Sequence, residues 1–314
     1  MEVGIDVGGT RTRILVSDGG DAIWQATAPT ASWRHGTLFC DEENATRLLA
    51  LIPNQEAVGR ADTPIVVGAH GVDNRAQCEL LTSWLAKRHP GKILVLNDSE
   101  LFGPAVGVPK AINVVAGTGS IVVGRDADGE LIKVGGYGWT LGDPGAAPSL
   151  VREAVIAIME ADDEGQPVGA LARSLMAHYG SPDPVALGYD FTADAGITNW
   201  GSLAPLVFTA AELGDALAIR VIEADGAQLA NDVITLRGKG VTNQTVVAGG
   251  GVITAQPRLE IAFTSALRAL DPALDIRVLR DAPVKGALAL AKSLRAEQEF
   301  PKEGKEQISK GVNT

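Results

Sequence analysis

Cysteine is nearly absent from this chain: two in 314 residues, Cys40 and Cys78, and they form no close pair. A disulfide framework, a zinc ribbon and a four-cysteine cluster within one chain are therefore unsupported. Both cysteines read most simply as small, buried apolar residues. Basic charge is also short, with 27 Lys plus Arg against 38 Asp plus Glu and a formal net charge of −11. Sequence-blind nucleic-acid binding and polybasic membrane attachment both need a basic surface, so neither partner is expected. No apolar run reaches the ~18 residues of a membrane span. The opening MEVGIDVGGT lacks a basic n-region, so a soluble, cytoplasmic protein is expected. The four histidines show no ligand spacing and receive no catalytic role. What the chain has in quantity is apolar residues, 46%, enough for a substantial core. Glycine is also abundant: 37 of 314 residues, about 12% against a usual ~7%. The glycines cluster beside apolar runs rather than recurring periodically, which points to tight strand-to-loop turns.

Two halves of the chain open alike. Val3-Gly4-Ile5-Asp6-Val7 leads through Gly8-Gly9-Thr10 into Arg13-Ile14-Leu15-Val16. Ile112-Asn113-Val114-Val115-Ala116 leads through Gly117-Thr118-Gly119-Ser120 into Ile121-Val122-Val123-Gly124. Each reads as a β-hairpin, and a further turn follows each at Asp18-Gly19-Gly20 and Asp126-Ala127-Asp128-Gly129. The pattern predicts a duplicated unit with a seam near residue 110, at Val108-Pro109-Lys110. Between the hairpins, strands are expected at 64–68 and 93–96, with a helix over Gln77 to Arg88. Strands alternating with helices imply parallel pairing in a covered sheet. Helices follow at roughly 148–160, 168–178, 203–213 and 215–236, then a strand at 245–248 and a last helix near 283–296 with Pro283 in its first turn. The expected division is 1–110, 111–296 including the closing helix, and a polar, fraying tail at 297–314.

Asp6 is a carboxylate inside an apolar strand, costly unless paired or near a cation. Two glycines and two threonines follow it at once, so backbone N–H groups and hydroxyls can approach anionic oxygens. One reading is a phosphate clamp with Asp6 reaching Mg²⁺ through water; the other is a plain hairpin turn with Asp6 capping nearby amides. The segment is neither a P-loop, lacking Gly-x4-Gly-Lys-Ser/Thr, nor a dinucleotide turn, lacking Gly-x-Gly-x-x-Gly before a helix. The matched hairpin at Gly117-Thr118-Gly119 favours the clamp, because two such turns hold a triphosphate from both sides. Asn97-Asp98-Ser99 lies past the C-terminal end of a strand, where open α/β sheets place ligands. Asp98 there is either a general base toward a hydroxyl attacking phosphorus or an ordinary helix N-cap. Gly249-Gly250-Gly251 is a bare turn that would let a purine and ribose lie on the backbone, or simply a tight strand–helix connection.

In this order and spacing the segments resemble the sugar kinase–actin–Hsp70 superfamily. Within it they are most similar to the N-acetylglucosamine kinase family, grouped with the BadF/BadG/BcrA/BcrD ATPases, over roughly residues 2–292. GIDVGGTRTR, NDSELFGPAVG, VVAGTGSIVVG, VVAGGGVI and APVKGALALA carry the match, with Gly68–Asp73 and Gly135–Asp143 beside them. The resemblance implies an α/β fold of two ribonuclease-H-like (actin-like ATPase) domains around an interdomain nucleotide cleft. It also implies an ATP-dependent phosphotransferase acting on a sugar or amino-sugar hydroxyl, N-acetylglucosamine or glucosamine favoured, with ATP and Mg²⁺ as cofactors. Under it Asp98 is the general base, and Gly8, Gly9, Thr10, Thr12, Gly117, Thr118 and Gly119 contact phosphate. Asp6 orients Mg²⁺, Gly249, Gly250 and Gly251 border the adenosine, and Gly71, Trp139 and Asp143 join Asp98 at the sugar.

The chain departs from the family at Gly142-Asp143-Pro144-Gly145-Ala146, where Gly-Asp-Glu-Gly-Ser is usual. It departs again at Pro29–Arg34, which offers no Asn. Both changes touch the acceptor side and leave the ATP side intact. One alternative within the resemblance is an ATPase that activates an acyl-CoA dehydratase, which needs cluster-ligating cysteines. Another is a sugar-binding sensor without turnover; with the first strand beginning at residue 3, a repressor's added DNA-binding domain is not expected. A homodimer through the long second-half helices is compatible with the resemblance, although the residues themselves do not display it.

Overall fold

The computed structural model describes residues 1–53 and 59–299. The chain divides into two compact units, one formed by Met1–Leu101 and the segment from Val284 on, the other by Phe102–Pro283. The first unit carries strands β1 (Glu2–Val7), β2 (Arg11–Ser17), β3 (Ala22–Pro29), β4 (Ile65–Ala69) and β5 (Ile93–Leu96) in the order β3-β2-β1-β4-β5. The three N-terminal strands form an antiparallel meander, and β4 and β5 add parallel to β1. β1 and β4 are buried along their whole length, as their apolar runs require, whereas edge strand β3 alternates exposed and half-buried residues. Parallel register sets Asp6 beside Gly68 and Gly68 beside Leu96, so the C-terminal ends of β1, β4 and β5 share one edge.

The second unit repeats the plan with β6 (Ile112–Ala116), β7 (Ser120–Arg125), β8 (Leu131–Gly135), β9 (Thr245–Gly249) and β10 (Asp275–Val278), in the order β10-β9-β6-β7-β8. Read from the meander edge, both sheets follow one order and one pattern of directions, so the duplication expected from the two hairpins is present in the topology. Helices Ala147–Asp163, Ala170–Tyr179, Ala204–Glu212 and Ala216–Gly238 correspond to the four expected ones, and Pro184–Ala193, Ile197–Ser202 and Pro257–Leu270 are additional. Leu150, Leu171, Leu175 and Phe263 are fully buried in this unit's core. Among the described residues no single helix is long and apolar enough to cross a membrane.

The division differs from the expected one in two places. The seam falls between Leu101 and Phe102 instead of near residue 110, and the closing helix, Val284–Glu299, belongs to the first unit. Its Ala287 and Ala291 pack with Val66, Leu96 and Leu101. At Gly4 an added Cβ would come within 2.4 Å of the Leu288 nitrogen, so only glycine lets the helix backbone settle on β1. Glu297 to Glu299 continue that helix, and the rest of the expected polar tail lies outside the described residues.

Candidate active site

The shared edge of the first unit gathers Asp6 from β1, the Gly8–Arg11 turn, His70 and Gly71 after β4, and Asp98 after β5. Asp6 is buried, at 5% exposure, and faces Arg13 on the antiparallel neighbour, where the guanidinium stands 3.5 Å from Oδ2. It caps no amide. Burial first and the Asp98 charge second push its pKa to about 7, against the opposing pull of Arg13.

Asp98 opens a short 3-10 turn, Asp98–Leu101, but it does not do the capping. Asn97 does: its Oδ1 accepts the Ser99 N–H at 3.0 Å, and Glu100 returns a carboxylate to the Asn97 N–H at 3.1 Å, a reciprocal capping box. Asn97 Nδ2 also donates to the Val72 carbonyl at 3.0 Å, tying the Gly68–Asp73 loop to the same corner. Asp98 accepts its neighbour's N–H on Oδ1 at 3.1 Å and its own N–H as well, and Oδ2 lies 4.0 Å from His70 Nδ1. Its side chain is 27% exposed. Burial raises its pKa, His70 lowers it, and Asp73 raises it further. A raised carboxyl within reach of a hydroxyl is suited to accepting that hydroxyl's proton.

His70 is a residue that spacing rules missed, because its relation to Asp98 is made by two parallel strand ends and not by sequence. Its N–H is fixed to the Val7 carbonyl at 2.8 Å, and the imidazole is 64% exposed. Gly71, with φ of +87°, has open space where a Cβ would stand.

In the first turn Gly9 and Thr10 are exposed, and neither N–H has a hydrogen-bond partner among the described residues. Thr12, expected as a phosphate contact, is 1% exposed; Trp33 Nε1 donates to its hydroxyl at 2.9 Å and Thr30 Oγ1 lies 3.1 Å away. That hydroxyl is occupied inside the unit, since residue 12 pairs inward with Val7 on β1. Cys40, expected to be buried, is exposed in the loop before helix Glu43–Ala50, with its S–H donating to the His35 carbonyl at 2.9 Å.

In the second unit the parallel register places Val115 beside Gly249, so the two glycine turns meet at one edge. A Cβ on Gly117 would be 3.2 Å from the Gly251 nitrogen. Gly250, at φ +111°, passes so near β6 that its Cβ would lie 2.5 Å from the Ala116 carbonyl oxygen. Gly249 instead faces the Phe102 ring, 2.6 Å from a Cβ position, so its bareness serves that packing. Thr118 is exposed, and Gly119 abuts the Asp143 carboxylate.

Asp143, expected beside the sugar, is 5% exposed, at φ +62°. Its carboxylate accepts the N–H groups of Gly138, at 3.1 Å, and Ser120, which locks it onto the second turn. The altered loop is held by main-chain bonds: Ala147 N–H to the Gly117 carbonyl at 2.8 Å, and Gly145 N–H to buried Asp225 at 2.8 Å. Trp139 is half-buried, edge-on to Trp200 at 4.9 Å, and its carbonyl accepts from the Arg152 guanidinium.

Known proteins resemble this chain in sequence and in fold. The chain is 26% identical to an N-acetylmuramic acid/N-acetylglucosamine kinase of Clostridium acetobutylicum over 240 residues, 73% of this chain and 77% of that one. It is 23% identical to the glucosamine kinase GspK of Vibrio cholerae over 242 residues, 76% of this chain and 81% of that one. The fold matches that of a Chromobacterium violaceum protein assigned as an N-acetylglucosamine kinase, with TM-score 0.64 and 23% identity over 92% of this chain and 98% of the other. It also matches a ROK family glucokinase of Streptomyces griseus solved with glucose and AMPPNP, with TM-score 0.56 and 13% identity over 94% and 99%. The model of one family matches residues 3–289, nearly the whole described chain, and the protein belongs to it: the BadF/BadG/BcrA/BcrD ATPase family.

Proposed function

We propose that the protein is an ATP-dependent kinase that phosphorylates a hydroxyl of an amino sugar, with Asp98 as general base. The observation that carries the reading is the first unit's edge. Two carboxylates, Asp98 and Asp6, stand beside a turn whose Gly9 and Thr10 N–H groups have no hydrogen-bond partner among the described residues. Similarity to amino-sugar kinases supports the acceptor class, and family membership supports the nucleotide.

In the reaction the acceptor oxygen attacks the γ-phosphorus, its proton passes to an Asp98 carboxylate oxygen, and the bond to the β–γ bridging oxygen breaks to release ADP. Burial makes Asp98 more basic than an ordinary carboxylate, and His70 pulls the other way. The N–H groups of Gly9 and Thr10 offer fixed dipoles to the phosphoryl oxygens. Taken by itself, the second unit's Gly117–Gly119 turn, with Thr118 exposed, suits an anion in the same way. Gly251, with open space where a Cβ would stand, offers bare surface to the nucleoside, and Gly250 lets that turn close on β6. Asp6 fits a Mg²⁺ role by its donor chemistry: a buried carboxylate with one cation at 3.5 Å and a pKa pushed to about 7. Among the described residues no three His, Cys, Asp or Glu side chains group as a metal cage, so the ion would rest on one or two carboxylates, phosphate oxygens and water. Bound there, Mg²⁺ supplies charge neutralisation of the phosphates.

The activator reading draws no support, since Cys40 is exposed and bonded to His35 while Cys78 lies half-buried on helix Arg75–Ala86. ADP release with Mg·ATP against N-acetylglucosamine, glucosamine, N-acetylmannosamine, N-acetylmuramic acid and glucose tests the proposal, with Asp98→Asn run beside it. Stimulation by one sugar, lost in the variant, is expected. Binding of ATP with no stimulation by any sugar would overturn the acceptor assignment.

A further inference from the structure

We infer that Thr30 is a positioning residue for the first phosphate turn, acting at the end of a buried hydrogen-bond relay from Trp33; this rests on the phosphate reading of that turn. The relay's direction follows from donor arithmetic. Thr30 Oγ1 donates its single proton to the Gly8 carbonyl at 2.9 Å. The contact between the Thr12 and Thr30 hydroxyls, 3.1 Å, therefore runs from Thr12 to Thr30. Thr12, having spent its proton, accepts from the indole Nε1 of Trp33 at 2.9 Å. The donors in turn are Trp33, Thr12 and Thr30, ending on the Gly8 carbonyl as acceptor, and the three side chains are 4%, 1% and 0% exposed.

Thr30 grips the turn twice, because its own N–H donates to the Thr10 carbonyl at 2.9 Å. The carbonyls of Gly8 and Thr10 are thus both drawn inward toward Thr30. A peptide plane with its carbonyl drawn one way presents its N–H the other way, and these two carbonyls belong to the peptides whose N–H groups are those of Gly9 and Arg11. The Thr10 N–H lies between them, and Gly8 N–H closes the turn on the Arg11 carbonyl at 3.0 Å. Residues 9 to 11 are exposed, so the relay converts a flexible glycine turn into one whose amides are held toward solvent before any phosphate arrives. Preorganised dipoles cost no reorganisation on binding. Each relay bond is buried, so removing one member leaves a neighbour's donor or acceptor unsatisfied.

The test compares the affinity of Mg·AMPPNP with that of AMP by titration calorimetry. In Thr30→Val the hydroxyl is gone and the shape is kept. The expected result is about tenfold weaker Mg·AMPPNP binding, the scale of one buried hydrogen bond, with AMP affinity changed less than twofold. Thr30→Ser restores the donor and should recover the triphosphate affinity. Equal weakening of both nucleotides, or Ser and Val variants that behave alike, would overturn the inference. If Thr30→Val does not fold, Trp33→Phe carries the test, with an expected loss of roughly threefold for Mg·AMPPNP alone and an unchanged value counting against the relay. Wild-type protein that fails to bind Mg·AMPPNP would remove the phosphate reading and the relay together. Wild-type binding matched by Thr30→Val would remove the relay alone.

Discussion

Replacing Asp225 by Asn should stabilise the protein at pH 8 and leave it nearly unchanged at pH 5. Asp225 lies within helix Ala216–Gly238, is 6% exposed, and accepts the Gly145 N–H at 2.8 Å. Burial moves its pKa from 3.8 to about 7; the Gly145 bond pulls against that, Glu153 adds to it and Arg152 opposes it. A carboxyl whose pKa is higher in the fold than in the unfolded chain binds its proton more tightly when folded. Its contribution to stability is complete below about pH 4 and is lost as pH rises through about 7. A rise of about three pKa units corresponds to ~4 kcal/mol over that window, with ~2 kcal/mol already lost at pH 5. Asn cannot ionise and keeps an oxygen for Gly145, but its NH₂ needs partners in a buried site, at a cost of about 1–3 kcal/mol. The net advantage of the variant is therefore about 1–3 kcal/mol at pH 8 and close to zero at pH 5. Urea denaturation at both pH values measures it. A variant less stable than the parent at pH 8, or a difference that does not change with pH, would refute burial of this charge as the cause.

Three further substitutions probe the site and the frame that holds it. His70→Ala removes the charge that lowers the Asp98 pKa, so the acidic limb of the pH–rate profile should move to higher pH; an unmoved limb would detach His70 from the base. Gly250→Ala forces a side chain into φ +111° and against the Ala116 carbonyl, for an expected loss of about 1–3 kcal/mol. Nucleotide binding should weaken in the same variant, as thermal melting with and without Mg·ADP would register. Gly4→Ala places a methyl 2.4 Å from the Leu288 nitrogen and should cost about 2–3 kcal/mol by levering the closing helix off β1, read as a drop in urea midpoint.

Local pattern carried the sheet chemistry well. The two Gly/Thr turns between apolar runs are hairpins, and Asp98 does stand past a parallel strand's end, because period and turn residues act over a few positions. What escaped is what long-range packing decides. Nothing near Thr12 announces that Trp33, 21 residues on, will fill its hydroxyl. Competition between Asn97 and Asp98 for the capping position is settled by the Val72 carbonyl, 25 residues upstream, which takes the Asn97 amide. The closing helix looked like part of the second unit by chain order, yet the small residues of GALALA match Gly4 at the opposite end of the sequence. His70 shows the same limit, since its link to Asp98 runs across two strand ends.

The duplicated frame carries its carboxylates unequally. In the first unit Asp6 lies beside Gly68, and in the second Val115 lies beside Gly249, so the registers make Val115 the counterpart of Asp6. Both units keep the bare turn, which needs only glycine and backbone, and one of them alone keeps the buried carboxylate. A second free carboxylate at the β6 end would face a polyanion from the same side and repel it. The carboxylate that does approach the second turn, Asp143, accepts the N–H groups of Gly138 and Ser120 and is drawn back into the unit. In the proposed reaction the base, Asp98, and the metal-side carboxylate, Asp6, thus both belong to the first unit, while the second unit is left to offer amides to an anion. A Val115→Asp substitution sets this argument at risk: it should weaken Mg·ATP binding without restoring activity to an Asp98→Asn protein. Unweakened nucleotide binding would mean that the asymmetry of the two halves has another cause.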